Sequence, residues 1–70
     1  MFLSNLGYAY ENMKEYRKSN EFYEKSLRIS MNIGSRYNIA LSFHNLASNY
    51  QELEEYATAK KYYEAALPIY

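Results

Sequence analysis

The chain says almost the same thing twice: "NLGYAYENMKEY" at Asn5–Tyr16 returns as "NLASNYQELEEY" at Asn45–Tyr56. Sliding residues 1–30 onto 41–70 gives nine identities: Asn5/Asn45, Leu6/Leu46, Tyr10/Tyr50, Glu15/Glu55, Tyr16/Tyr56, Tyr23/Tyr63, Glu24/Glu64, Leu27/Leu67 and Ile29/Ile69. Random pairing over that length gives roughly two, so the chain is built from a repeated unit. Leu3/Phe43, Met13/Leu53 and Phe22/Tyr62 add conservative pairs, and Gly7/Ala47, Ser19/Ala59 and Ser26/Ala66 are small in both copies. Small residues at matched places let helix axes approach to about 8–10 Å. One packing requirement is thus written twice.

Each copy divides into two helices. Leu3, Leu6, Gly7 and Tyr10 follow the spacing of one helical stripe. "MKEY" and "LEEY" break that pattern and open a second stripe, which in copy one runs through Tyr16, Ser19, Phe22, Tyr23, Ser26, Leu27 and Ser30. Glu15, Glu54 and Glu55 are expected at helix starts, where the macrodipole favours them. Glu21–Lys25 and Glu24–Arg28 are spaced as i,i+4 pairs. Gly34–Ser35 reads as a stop followed by a start, a C-terminal glycine and an N-cap serine. The pattern predicts helices at about 1–13, 16–33, 36–53 and 56–69. The fold class is all-α: one domain, 1–70, with a first antiparallel pair at about 1–34 and a second at about 35–70.

Composition narrows the chemistry. Eight basic and eight acidic residues cancel, so no strong field draws the chain to nucleic acid or an anionic membrane. Arg17, Lys18, Lys25 and Arg28 cluster on the second helix, but copy two has only Lys60 and Lys61 there. A phosphate-tracking surface would recur with the repeat. No apolar run reaches the roughly 20 residues of a membrane span, and the first residues lack a basic leader pattern; a cytoplasmic location is expected. The sequence lacks cysteine and aspartate, and His44 is its one histidine. This inventory offers no familiar triad, no phosphate-cradling glycine loop and no strong metal set. The expectation is a non-enzyme without metal or cofactor.

The motif Leu3-x2-Leu6-Gly7-x2-Tyr10 followed by Ser19-x3-Tyr23 and Ser26 resembles the tetratricopeptide repeat. So does Phe43-x2-Leu46-Ala47-x2-Tyr50 followed by Ala59-x3-Tyr63 and Ala66. The resemblance covers essentially the whole chain. It departs in two ways: the copies are forty residues apart rather than about thirty-four, and Met31 lies near the place of the usual proline. Lengthened repeats of this kind are similar to those of kinesin light chains, Pins-type spindle adaptors and bacterial Rap-type regulators. The resemblance implies a short right-handed α-solenoid that binds a peptide or a protein segment.

It also implies a concave groove on the first helix of each copy, opposite the apolar stripe. That face carries Ser4, Asn5, Tyr8, Glu11 and Asn12, then His44, Asn45, Ser48, Gln51 and Glu52. Ser4, Asn5, Tyr8, Asn12, His44, Asn45, Ser48 and Glu52 are the candidate partner-groove residues. Met1 and Leu41 stand where the family's carboxylate clamp has cations, so an acidic tail is not the expected partner. The leading expectation is a non-catalytic module for a peptide or helix of a partner protein. The alternatives are a self-assembling unit, a dimer or a hairpin-swapped oligomer, and the peptide-sensing part of a bacterial regulator. For self-association the candidate residues are Tyr62, Leu67 and Ile69, because repeat arrays of fewer than three units leave apolar faces open.

Overall fold

A helical hairpin needs a residue that can reverse the chain within one or two positions, and this sequence spends no glycine on either hairpin turn. The computed structural model describes residues 2–67, apart from the side chain of Phe2. Among these residues the chain forms helices α1 (Phe2–Asn12), α2 (Tyr16–Ile33), α3 (Arg36–Glu52) and α4 (Tyr56–Ala66), and no strand. The sequence pattern located all four within a residue or two, save that the end expected for α4 near 69 lies outside the described residues.

The two hairpin turns close identically. After α1, the Lys14 amide donates to the Glu11 carbonyl at 2.9 Å and the Glu15 amide to the Tyr10 carbonyl at 2.9 Å. After α3, Glu54 donates to Gln51 at 3.0 Å and Glu55 to Tyr50 at 2.8 Å. These paired bonds cap the last carbonyls of each helix, and they require one left-handed residue. That residue is Lys14 (φ 62°) in one turn and Glu54 (φ 63°) in the other. A side chain strains this conformation, so Lys14→Gly and Glu54→Gly are each expected to stabilise the fold by about 0.5–1 kcal/mol. Midpoints of urea unfolding followed by circular dichroism will test this, and a lower midpoint in both variants would refute it.

Between α2 and α3 a glycine does supply the positive φ. Gly34 sits at φ 80°, and its amide and that of Ser35 both donate to the Ser30 carbonyl, at 2.8 and 3.1 Å. Ser35 occupies the N-cap of α3 with extended backbone, but its side chain makes no capping bond. Glutamates stand at the expected starts of α2 and α4, ahead of the first turn and not within it. Glu15 and Glu55 stand one place ahead of α2 and α4 without a side-chain cap, and Glu54 is consumed by the turn. Glu55 instead meets Arg17 at 3.0 Å, tying the start of α4 to the start of α2. This is the ion pair found among the described residues; Glu21–Lys25 and Glu24–Arg28 do not close. Lys25 lies over the Phe22 ring at 5.4 Å, a better place for its stem than open water.

Each helix packs on the next in sequence, α1 on α2, α2 on α3 and α3 on α4. The resulting slab measures 29 × 26 × 14 Å, too thin for a bulky interior. Its fully buried apolar residues are Tyr23, Leu46 and the alanines Ala40, Ala47, Ala59 and Ala66. Ser19, Asn20, Ser26, Ser30, Ser42 and Asn49 are buried beside them. The small residues expected at the helix contacts are therefore where the axes come close. The larger rings line the edges of each pair. Tyr10 stacks on Phe22 at 5.4 Å and Tyr50 on Tyr62 at 5.5 Å, with both ring pairs within 5° of parallel. The Tyr23 hydroxyl donates to Glu11 Oε1 at 3.0 Å, and the Tyr63 hydroxyl to Gln51 Oε1 at 3.2 Å. The repeated sequence folds into repeated contacts.

Burial, followed by the Glu11 charge and its hydrogen bond, pushes the Tyr23 hydroxyl well above its ordinary pKa of 10.0. Burial does the same to Tyr50 and Tyr62, in each case with a smaller contribution from neighbouring charge. Above about pH 10 the unfolded chain loses these protons while the folded chain keeps them. Stability is therefore full below about pH 10 and falls as pH rises further. Tyr23→Phe should flatten this alkaline decline when thermal midpoints are compared at pH 8 and above 10; an unchanged slope would overturn the assignment.

Candidate functional site

Helix α3 packs on both α2 and α4, and the stripe it turns away from them is left to the solvent. Tyr37, Leu41, His44, Ser48 and Glu52 succeed one another at helical spacing, and all are exposed apart from half-buried Ser48. Asn45 lies beside the stripe, half-buried. On α1 the matching places are Asn5, Tyr8 and Asn12, all exposed, with Tyr8 open over 59 % of its surface.

Not every candidate is equally free. Ser4 is half-buried and its hydroxyl is 2.8 Å from that of Ser26 on α2. The His44 ring meets that of Tyr63 at 5.5 Å and 75°, between α3 and α4. Glu11 and Gln51, which share this face in the sequence pattern, are held by Tyr23 and Tyr63. Of the self-association candidates, Tyr62 is half-buried, stacked on Tyr50 and tilted against Phe43 at 5.9 Å. Leu67 is 69 % exposed, and Ile69 lies outside the described residues.

Sequence reasoning missed two things. The first is the apolar end of the α3 stripe: Tyr37 is exposed over 73 % of its surface, and its spacing to Leu41 and His44 was the available signal. The second is a buried polar chain across the two helix pairs. Asn49 Nδ2 donates to Ser19 Oγ at 2.9 Å and to Asn20 Oδ1 at 2.8 Å, and Ser19 Oγ donates to the Gly7 carbonyl at 2.7 Å. It joins α1, α2 and α3 and fixes how α3 seats on α2. Asn20 and Asn49 do not recur in the other copy, so the repeat pattern gave no hint of them.

A depression of about 410 Å³ lies off this face, where Lys14, Glu15, Tyr16, Arg17, Lys18 and Leu53 meet. Its charged, open walls suit solvent better than an enclosed ligand. Among the described residues no three His, Cys, Asp or Glu side chains converge on a metal position. No helix there is long and apolar enough to cross a membrane. The exposed stripes of α1 and α3 thus offer amides, a hydroxyl, a carboxylate and aromatic surface.

The model of a family described as tetratricopeptide repeat matches residues 1–70. No curated protein and no solved structure matches the chain.

Proposed function

The chain belongs to the tetratricopeptide repeat family, and on that premise we propose that it is a non-catalytic module whose α1–α3 face binds a peptide or helix of a partner protein. Repeat proteins of this kind use extended concave surfaces to bind other proteins. The observation that carries the reading is the exposed stripe from Tyr37 to Glu52 on α3, together with exposed Asn5, Tyr8 and Asn12 at the matching places of α1. Asparagine amides offer donors and acceptors to a peptide backbone, while Tyr8 and Tyr37 offer flat surface at low entropic cost. The partner is read as a segment with an apolar residue for the Tyr37–Leu41 end and a basic or neutral residue for the Glu52 end.

Selection from a displayed random peptide library should enrich sequences of that kind. Their affinity, measured by calorimetry, should fall at least tenfold, about 1.4 kcal/mol, when Asn5, Asn45 and Tyr37 are replaced by alanine together. Enriched peptides that bind the triple variant as tightly, or a library that enriches nothing, would refute the groove reading.

A further inference from the structure

Matching positions in the two helix pairs are not equally covered. On α2, Asn20 is buried and Tyr16 and Leu27 are half-buried; at the matching places of α4, Tyr56, Lys60 and Leu67 are exposed, Tyr56 by 62 % and Leu67 by 69 %. On α3 and the residue after it, Leu46 and Asn49 are fully buried and Leu53 half-buried; at the matching places of α1 and the residue after it, Leu6 is half-buried and Ala9 and Met13 are exposed, Met13 by 58 %. The difference is the footprint of the α2–α3 contact. Hence α4 carries the α2 half of that contact, α1 carries the α3 half, and among the described residues nothing covers either half.

We propose that the open face of α4 takes the open face of α1 from a second copy of this chain, packed as α3 packs on α2, so that copies stack head to tail. The inference does not rest on the groove reading. The second copy is the occupant because the two faces are halves of an interface this chain already builds within itself. Tyr16 and Leu53 line one depression at the internal contact; between copies Tyr56 and Met13 take those places.

The polar chain that locks the internal contact is missing from the new one. Ala9, Ala59 and Lys60 replace Asn49, Ser19 and Asn20, and Glu15 and Ala57 replace the Glu55 and Arg17 of the ion pair. Contact between copies therefore lacks the amide lock, has to place Lys60 where Asn20 is buried, and is weaker than the internal one. Being heterologous, it propagates instead of closing on a two-fold axis.

Sedimentation velocity of the 70-residue chain and two variants tests this. Met13→Glu blocks the α1 face and Leu67→Glu the α4 face, and both positions are exposed, so helicity should persist. The unaltered chain is expected to gain mass steadily with concentration, and each variant alone to stay monomeric. An equimolar mixture should form a dimer of about twice the monomer mass, since each variant retains the face that the other needs. A chain monomeric at every concentration overturns the proposal. So does a Met13→Glu variant that still associates, or a mixture that does not pair. Misfolding cannot mimic a complementary gain: Ala9→Asn, Ala59→Ser and Lys60→Asn together copy the buried lock into the new contact and should tighten association at least tenfold. Weaker association of that triple variant would also count against it.

Discussion

Leu46→Ala is expected to leave the chain largely unfolded at room temperature. Leu46 has no exposed surface and is the sole large aliphatic side chain in the fully buried set among the described residues. Removing it costs about 2–5 kcal/mol in lost transfer energy and cavity. A chain this short holds only about 3–5 kcal/mol in reserve. The repeat supplies an internal control, because the matching Leu6 is only half-buried. Leu6→Ala should thus be clearly milder. Far-ultraviolet circular dichroism with urea titration decides the matter: equal midpoint shifts for the two variants would mean that the α2–α3 contact adds nothing at Leu46 that Leu6 lacks.

Gly7→Ala comes next, at about 1–3 kcal/mol, although it adds a single methyl group. A Cβ at Gly7 would lie 2.8 Å from both Cδ1 and Cε1 of Tyr23. That ring is 1 % exposed and tethered through its hydroxyl to Glu11. The other copy displays the alternative. Ala47 occupies the place of Gly7, and Tyr63 there is half-buried, with its hydroxyl 3.2 Å from Gln51. Alanine at position 7 should drive Tyr23 toward the arrangement of Tyr63, lowering the thermal midpoint and weakening the bond to Glu11. Gly7→Ala combined with Tyr23→Leu should recover part of the loss; no recovery would place the clash elsewhere.

Most of the fold was legible because a repeat of forty residues tests every reading twice. Tyr10 and Phe22, read as members of two apolar stripes, do meet, and so do Tyr50 and Tyr62. Ser19 and Ala59, matched as small residues, are both buried where helices approach. Ser35, Glu15 and Glu55 do stand at the N-caps of α3, α2 and α4, where the pattern put them, but without side-chain capping bonds, and Glu54 belongs to the turn instead. Asn49 and Asn20 escaped notice because their partners come from different copies, and periodicity within one helix does not register a bond between two. On the candidate face, the exposure of Asn5, Tyr8 and Asn12 follows from the stripe opposite them. Ser4 and His44 stand at its margin, where one helical turn separates solvent from the neighbouring helix.

The pairing of each helix with the next in sequence also governs how quickly the molecule can assemble. Every tertiary contact of this kind closes a short loop, so chain entropy presents only a small barrier at each step. Low contact order of this sort accompanies folding in microseconds to milliseconds. Helix pairs can form independently and then zip together through α2 and α3, and loss of order can start from either terminal helix without disturbing that centre. A nascent chain emerging from synthesis would have α1 and α2 paired before α4 is made, while Ser19, Asn20 and Arg17 wait for their partners Asn49 and Glu55.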